Sequence, residues 1–403
     1  MTQVLILGAG YAGMRTAKIL AKKAPNDINI TLIDKETYHT EKTNLHEVAA
    51  GTISPDRISY DIREVLPERI NFLNAEVVKI DVDHKCVYLK GQDNPLEYDQ
   101  VVICLGFKSE SFGIDGVEQY SLPLDTLDAA KNVWNSIEQS VKRFNETKDE
   151  RDLNIVICGA GFTGIEVLGE LANKLPELQQ RYQTPSIKVT CLERATSILP
   201  MFSKELGDYT LNFMSKHNIN MILGAEINGV SDRKVSYKLN DEEKELEAST
   251  IVWTVGVSGS DIMEDSNLPA KRGRVIVDDH LNLEDHPEVY VLGDVAAVMD
   301  PTSNRPYPVT AQIALSQATY AAKRISKTLD NKDFDEKYEY HSLGTVASLG
   351  DRDAVAETSL AGKTIKLKGY PASALKKVIT DKSLYKDANI STMLKKGRYD
   401  LWK

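Results

Sequence analysis

A glycine-rich unit occurs twice in this chain of 403 residues, and this repeat limits the fold more than any other feature. The first copy passes from the apolar stretch 4–7 into Gly8-Ala9-Gly10-Tyr11-Ala12-Gly13. A stretch with helical spacing follows as far as Pro25, and a second apolar stretch ends on Asp34, 21 residues beyond the last glycine. Strand, glycine loop, helix, strand and acid in this order predict a unit that binds a dinucleotide.

Each part of this unit has a physical reason. The first glycine permits a tight turn, the second lets the backbone approach a pyrophosphate, and the third lets the helix pack against the strand. The helix N-terminus directs free N–H groups and a positive dipole at the phosphates. Asp34 is then placed to accept hydrogen bonds from ribose hydroxyls. The alternative, a glycine-rich turn without a ligand, does not account for the surrounding pattern.

The second copy contains Gly159-Ala160-Gly161-Phe162-Thr163-Gly164 and ends its second strand on Glu193. Its first glycine lies 151 residues after that of the first copy. Each copy also closes with an apolar stretch and a glycine, at residues 101–106 and 251–256, which lie 150 residues apart. Features that recur at nearly one offset predict a tandem of two dinucleotide-binding domains.

A third buried-type strand, residues 289–292, ends in Gly293-Asp294 without a third glycine loop. We therefore predict an α/β protein of two Rossmann-like domains, the second inserted in the first. Asp294 would lie at the carboxyl end of a strand, where open α/β sheets bind ligands, although a plain turn aspartate is the alternative. The predicted bounds are residues 1–112 and 258–325 for the first domain, 113–257 for the second and 326–403 for a C-terminal segment.

Charge and composition exclude several other functions. The net charge of −10 argues against a nucleic acid partner, because phosphate backbones attract positive charge. The four cysteines lie far apart without a C-x-x-C pair, so neither a zinc ribbon nor a vicinal redox disulfide is expected. His39 and His46 have no metal-ligand spacing, and we predict no metal site.

Taken together, the motifs resemble those of two-dinucleotide-binding-domain flavoproteins. Within that group the chain looks most like the type II NADH dehydrogenases, the single-subunit NADH:quinone oxidoreductases that pump no protons. The resemblance rests on the second glycine loop, which continues into Ile165-Glu166, and on four further motifs: Leu199-Pro200-Met201-Phe202, Gly293-Asp294, Thr310-Ala311-Gln312-Ile313-Ala314 and Gly344-Thr345-Val346-Ala347-Ser348-Leu349-Gly350. It implies FAD in the first domain, NADH in the second, and a quinone of the menaquinone or ubiquinone type as acceptor.

The resemblance also implies a set of site residues. The FAD contacts would be Gly8, Ala9, Gly10, Tyr11, Ala12, Gly13, Asp34, Lys35, Thr43, Val77, Asp294, Ala311, Gln312 and Lys376. The NADH contacts would be Gly159, Gly161, Phe162, Thr163, Gly164, Glu193 and Glu166. Glu166 and Gln312 are the expected catalytic residues. Glu166 would orient the nicotinamide and relay a proton, the alternative being a solvated glutamate favoured by the helix dipole.

Two positions bear on which substrates are used. Glu193 favours NADH over NADPH, because a carboxylate repels a 2′-phosphate, although the adjacent Arg194 is able to reach such a phosphate. Family members commonly carry A-Q-x-A-x-Q, whereas Ser316 occupies the place of the second glutamine here. Gln317 follows, but one residue turns a helix by about 100°, so we do not expect it to substitute.

The C-terminal segment is basic, with eight Lys or Arg and three Asp between Tyr370 and Lys403. Apolar residues recur there at helical spacing, at Leu375, Val378 and Ile379 and again at Ile390, Met393 and Leu394. We predict two amphipathic helices that attach the protein peripherally to the cytoplasmic face of the cell membrane. A solvated basic tail is the alternative, and whether the chain forms a homodimer is left open.

Two other functions remain as alternatives. One is an NADH-dependent flavoprotein that reduces a soluble acceptor or oxygen. The other is a flavoprotein scaffold that senses the nucleotide without rapid turnover.

Overall fold

The computed structural model describes residues 2–360 and 363–398, which form an α/β fold. Its α-helices are Tyr11–Lys23, Leu45–Ala49, Ile62–Val65, Val117–Tyr120, Leu127–Thr147, Phe162–Tyr182, Lys204–Lys216, Ile262–Asp265, Ala311–Leu329, Tyr370–Ser383 and Ile390–Lys396. Single 3₁₀ turns lie at Lys42–Asn44, Pro55–Arg57, Glu150–Leu153 and Gly293–Val295, and one π-helical turn lies at Leu384–Ala388.

The first sheet is built around an apolar strand that is buried on both faces. In that strand, Leu5 pairs in parallel with Thr31 on one side and with Val101 on the other. A run without polar residues suits this position, because parallel sheets are covered by helices on both faces. The six strands are, in spatial order, Asn282–Leu283, His286–Val291, Gln100–Ile103, Gln3–Leu7, Asn29–Asp34 and Ile70–Asn74.

The second sheet repeats this arrangement. Its five parallel strands are, in spatial order, Leu122–Pro123, Thr250–Trp253, Asn154–Cys158, Lys188–Glu193 and Ile219–Leu223. Each domain also contains a three-stranded antiparallel sheet. In the chain, this sheet precedes strand Gln100–Ile103 in the first domain and strand Thr250–Trp253 in the second. The antiparallel strands are Val77–Asp81, Cys86–Leu89 and Leu96–Glu97 in the first domain, and Glu226–Ser231, Lys234–Leu239 and Glu242–Glu247 in the second.

The chain leaves the first sheet and later returns to it. Strand His286–Val291 pairs in parallel with Gln100–Ile103, so a segment beyond the second sheet completes the first one. The two crossings between the domains pair with each other, as Phe107–Ser109 and Val257–Gly259. The predicted class, two Rossmann-like domains with the second inserted in the first, is thereby confirmed, whereas the exact domain bounds stay predictions.

Three groups of short strands complete the first domain. They are Tyr38–Thr40 with Ser59–Asp61; Ala270–Lys271 and Ala296–Ala297 on either side of Arg274–Ile276; and Met299–Asp300 with Arg305–Pro306. The helix Leu45–Ala49 lies between strands Tyr38–Thr40 and Ser59–Asp61 in the chain. It packs in the apolar core of the second domain. This helix is one of the main contacts between the two domains.

The C-terminal segment contains a sheet that the sequence analysis did not predict. Strands Thr345–Ser348, Ala354–Leu360 and Lys363–Lys368 are antiparallel, and they precede the two expected helices. Ala347, Leu349 and Val355 join the apolar core of the second domain. The segment therefore completes the junction between domains as well as supplying the last helices.

Two polar residues between the last two helices are bonded to other groups of the protein. Asp387 is fully buried and lies 2.6 Å from a guanidinium nitrogen of Arg15. Asn389 caps the last helix by accepting a hydrogen bond from the backbone N–H of Thr392. The exposed large apolar side chains there are Tyr370, Val378, Ile379, Tyr385, Ile390 and Leu394. Within the described residues, every helix is too short or too polar to cross a bilayer.

Candidate functional site

The two glycine loops, residues 8–13 and 159–164, are fixed by equivalent hydrogen bonds. The backbone N–H of Gly8 donates to Ile33 over 2.8 Å, and that of Gly159 donates to Leu192 over 2.8 Å. Both glycines have a left-handed backbone, with φ of +101° and +99°. Because other residues rarely adopt this conformation, glycine is needed at each turn. The repeat seen in the sequence is therefore a repeat of geometry.

The two acids occupy equivalent places beside these loops. Asp34 accepts a hydrogen bond from the backbone N–H of Ala9 at 2.5 Å, and Glu193 accepts one from Ala160 at 2.7 Å. In each acid the second oxygen accepts from the backbone two residues further on. Each carboxylate thus lies against its loop at the end of the second strand, which is the position predicted from the sequence.

The loops have room for a pyrophosphate at the middle glycine. A Cβ atom at Gly10 or at Gly161 would meet no protein atom within 4 Å. At Gly13 and Gly164, by contrast, a Cβ atom would collide with the carbonyl oxygen of the first glycine in the loop. Open space at the second glycine and close packing at the third are what a bound dinucleotide requires, so the residues present fit a dinucleotide such as FAD or NADH in either loop.

Several of the residues predicted to contact FAD surround the first loop. The Tyr11 hydroxyl lies 3.1 Å from that of Thr43. Gly293 packs close to Ala12 and Ala314, which brings Asp294 beside the first helix and the helix that begins at Ala311. Burial raises the pKa of Asp294, and the positive charge of Lys42 opposes this shift.

Two other residues predicted to contact FAD differ in their burial. Lys35 is exposed, and Val77 is a buried residue at the start of its strand. Their roles stay predictions.

Glu166 lies at the junction of the two domains and the C-terminal segment. Its Oε1 accepts a hydrogen bond from the backbone N–H of Ser348 at 3.0 Å and forms a direct ion pair with Lys376. Its Oε2 lies 3.4 Å from Nδ1 of His46. Glu166 is 8% exposed. Glu166 is therefore not a solvated glutamate at the start of its helix.

The glutamines near the expected quinone site have separate partners. The Gln312 side chain accepts hydrogen bonds from the Tyr340 hydroxyl and the Leu343 backbone N–H, at 2.5 and 2.9 Å. It also donates to the Gly344 carbonyl at 3.3 Å. Gln317 is buried and accepts from the Gly293 backbone N–H at 2.6 Å. Gln317 thus supports the Gly293-Asp294 turn and does not take the place of the glutamine replaced by Ser316.

A cluster of ionisable side chains next to Glu166 was missed in the sequence analysis. His46, Glu47 and Glu170 bring one ring nitrogen and two carboxylate oxygens within 4.8 Å of one another. They adjoin a polar cavity of about 370 Å³, which Glu47 and Glu170 line together with Lys376 and Arg398. Glu166 and Glu170 are four residues apart on one helix, which was the available signal. The prediction of no metal site stays a prediction.

The four cysteines are buried free thiols, Cys86, Cys104, Cys158 and Cys191. Burial raises the pKa values of Cys104 and Cys158 and so disfavours the reactive thiolate.

The fold and the paired loops define a class, the two-domain oxidoreductases that bind nucleotide cofactors. In agreement with this, the family model of the pyridine nucleotide-disulphide oxidoreductases matches residues 2–318.

Proteins of known family resemble the chain along nearly its whole length. The type II NADH:quinone oxidoreductase of Staphylococcus haemolyticus is 39% identical over 98% of both chains. That of Staphylococcus aureus strain NCTC 8325 is 37% identical with the same coverage. The chain belongs to the family of type II NADH:quinone oxidoreductases. It is therefore an enzyme that couples NADH to a quinone, and the resemblance found in its motifs is confirmed.

Solved structures agree on the fold. NDH2 from Plasmodium falciparum in complex with NADH superposes with a TM-score of 0.85 at 19% identity, covering 98% of this chain and 97% of that one. The sulfide:quinone oxidoreductase from Aquifex aeolicus has a TM-score of 0.78 at 22% identity, covering 97% and 93%. At these identities the likeness concerns the fold alone.

Proposed function

We propose that this enzyme is a non-proton-pumping, FAD-dependent NADH:quinone oxidoreductase, with FAD in the first domain and NADH in the second. The main support is the contact of Glu166, on the second glycine helix, with His46 of the first domain. His46 lies three residues after Thr43, a predicted FAD contact. Two nucleotides bound at the two loops would thus extend toward one junction, which is what direct hydride transfer requires.

FAD would be held by the first glycine loop and by eight further residues, namely Asp34, Lys35, Thr43, Val77, Asp294, Ala311, Gln312 and Lys376. When bound, FAD accepts a hydride from NADH and passes two electrons to a quinone. The chain supplies position and charge, because it brings the helix N-termini of both loops to the phosphates. Ion pairing with Lys376 and hydrogen bonding to Ser348 hold the carboxylate of Glu166 at the junction.

Glu166 would orient the nicotinamide and relay a proton, and Gln312 would line the quinone site. The partners of Gln312 in residues 340–344 fix its orientation at the start of its helix. Glu193, held against the second loop, would repel a 2′-phosphate and so favour NADH. A comparison of turnover with NADH and NADPH checks this preference.

We also propose that the last two helices lie on the cytoplasmic face of the cell membrane. The exposed apolar side chains of these helices and of the turn between them lie among lysines, including Lys382, Lys386 and Lys395. Such a combination favours an anionic bilayer surface, where a membrane quinone of the menaquinone or ubiquinone type would be reached.

Anaerobic stopped-flow absorption tests the proposed function. NADH should bleach the flavin absorbance of the purified protein, and a short-chain menaquinone or ubiquinone analogue should restore it. Glu166→Gln should keep its flavin but lower NADH-dependent turnover by about a hundredfold, the usual size of an acid–base contribution. Normal kinetics in this variant would remove the role of Glu166, and reoxidation by air but not by quinone would favour a soluble acceptor.

A further inference from the structure

Quinone reduction by NADH takes up one proton from solvent. NADH provides two electrons and one proton, whereas a quinone needs two electrons and two protons to become a quinol. Each turnover therefore consumes NADH, quinone and one further proton and yields NAD⁺ and quinol. Since Glu166 is buried, that proton needs a path to the junction.

A polar cavity leads to this junction from the protein surface. Its lining includes Glu177 and Asp351, whose side chains are more than half exposed. It also includes Glu170, which is 4% exposed and lies one helical turn beyond Glu166. With a volume of about 370 Å³ and charged walls, the cavity has room and partners for several water molecules.

His46 lies near both Glu170 and Glu166. Its Nδ1 is 3.4 Å from Oε2 of Glu166, and one of its ring nitrogens is within 4.8 Å of the Glu170 carboxylate. Among the described residues, Nε2 of His46 has no hydrogen-bond partner, although the side chain is buried. A neutral imidazole has one N–H donor and one acceptor nitrogen, so it is able to accept a proton on one side and release one on the other.

We propose, on the basis of the function proposed above, that Glu170 receives the solvent proton in this cavity and passes it through His46 to Glu166. The proton leaves an oxygen of Glu170 and binds one ring nitrogen of His46. The other ring nitrogen releases a proton to Glu166, and Glu170 is then reprotonated from water in the cavity. No electrons move in these steps.

The surroundings of Glu170 suit this role at neutral pH. Burial and the negative charge of Glu47 together raise its pKa to about 7, although Thr52, Lys376 and Arg398 oppose the shift. Lys174 lies one turn further along the same helix and pairs with Glu177. Burial and the charge of Lys376 lower the pKa of His46 to about 3, so His46 stays neutral and transmits the proton without holding it.

The test separates the two halves of the reaction by anaerobic stopped-flow at a series of pH values, using the holoenzyme and a soluble short-chain quinone. In the wild type, flavin reoxidation by quinone should slow as pH rises through about 7, because Glu170 loses its proton. Glu170→Gln should remove this pH limb and slow reoxidation by about tenfold to a hundredfold. Bleaching by NADH should change less than about twofold.

Two further variants control for charge and for folding. Glu47→Gln should move the pH limb to lower pH, because it removes a negative charge that favours protonated Glu170. Glu146→Gln, an exposed change on the neighbouring helix Leu127–Thr147, should match the wild type throughout. Flavin content and thermal unfolding show whether each variant is folded.

The outcomes distinguish the two proposals. If the wild type is not reoxidised by quinone, the proposed function fails. If the wild type is reoxidised but Glu170→Gln and Glu47→Gln both keep its pH limb and rate, the function stands and the route through Glu170 is wrong. Equal losses of bleaching and reoxidation in Glu170→Gln would also overturn the route, since they indicate a general structural role.

Discussion

At the scale of single residues, Glu41 shows how a distant part of the chain sets the chemistry of a side chain. Glu41 is 2% exposed, and its Oε2 accepts a hydrogen bond from the Tyr11 hydroxyl at 3.0 Å. Burial raises its pKa to about 8, and the negative charge of Asp387 contributes. Asp387 follows 346 residues later in the chain, so the local sequence around Glu41 carries no signal of this environment.

The raised pKa of Glu41 predicts a pH-dependent stability. The folded protein keeps a proton on Glu41 that the unfolded chain releases above about pH 4.5, so this contribution is fully present below that pH. It is lost as pH rises toward about 8, at up to about 1.4 kcal/mol per pH unit. Glu41→Gln should reduce the slope by this contribution, leaving the part that other buried carboxyl groups such as Glu170 supply. Denaturant midpoints between pH 5 and 8 measure it.

A matched control for this experiment is Glu68→Gln, at an exposed position of the same domain. It should retain the slope of the wild type. Equal slopes in the wild type and in Glu41→Gln would show that Glu41 is ionised in the folded protein, contrary to its buried surroundings.

At the scale of secondary structure, local patterns predicted both nucleotide-binding units. The apolar strands, glycine loops and acids are all defined by neighbouring residues, and the structure has them where the sequence indicates. The C-terminal sheet was missed, although residues 364–368 alternate between polar and apolar side chains. The sequence analysis interpreted the C-terminal segment from the basic charge and the helical spacing of its last residues. The strands of the sheet depend instead on packing against the second domain.

The last helices carry a prediction about membrane binding. Ile390 and Leu394 are four residues apart, lie on one helix face and are 56% and 62% exposed. Replacing both with serine should weaken binding to anionic vesicles at least about tenfold, because burying each side chain contributes about 1.5–3 kcal/mol. Folding should be unaffected. Flotation with vesicles of phosphatidylglycerol and phosphatidylcholine measures this binding.

Ile276→Ser provides the control, since Ile276 is 65% exposed and lies outside these helices. It should float like the wild type. If the double serine variant also floats like the wild type, the last helices are not the membrane-binding surface.

At the scale of the whole molecule, the proposed function depends on a junction that no local pattern describes. The helix Leu45–Ala49 packs in the core of the second domain and thereby brings His46 to Glu166. Lys376 arrives from the C-terminal segment. The resemblance in the sequence named Glu166 and Lys376 but did not indicate that they form an ion pair. The proximity of His46, Glu47 and Glu170 was missed because it arises from tertiary packing.

The most direct test of two separate nucleotide sites replaces the middle glycine of each loop. Gly10 and Gly161 have φ of −73° and −71°, which alanine adopts without strain, and a Cβ atom at either position meets no protein atom. Both variants should therefore fold. The added methyl group would instead occupy the space that the pyrophosphate approaches.

The measurement is the flavin content of each purified variant, followed by the rate at which limiting NADH bleaches that flavin. Gly10→Ala should lose most of its flavin. Gly161→Ala should keep its flavin but bleach about tenfold more slowly, a loss of about 1.4 kcal/mol in NADH binding. A fully flavinated Gly10→Ala protein that bleaches normally, or a colourless Gly161→Ala protein, would contradict the assignment of FAD to the first domain and NADH to the second.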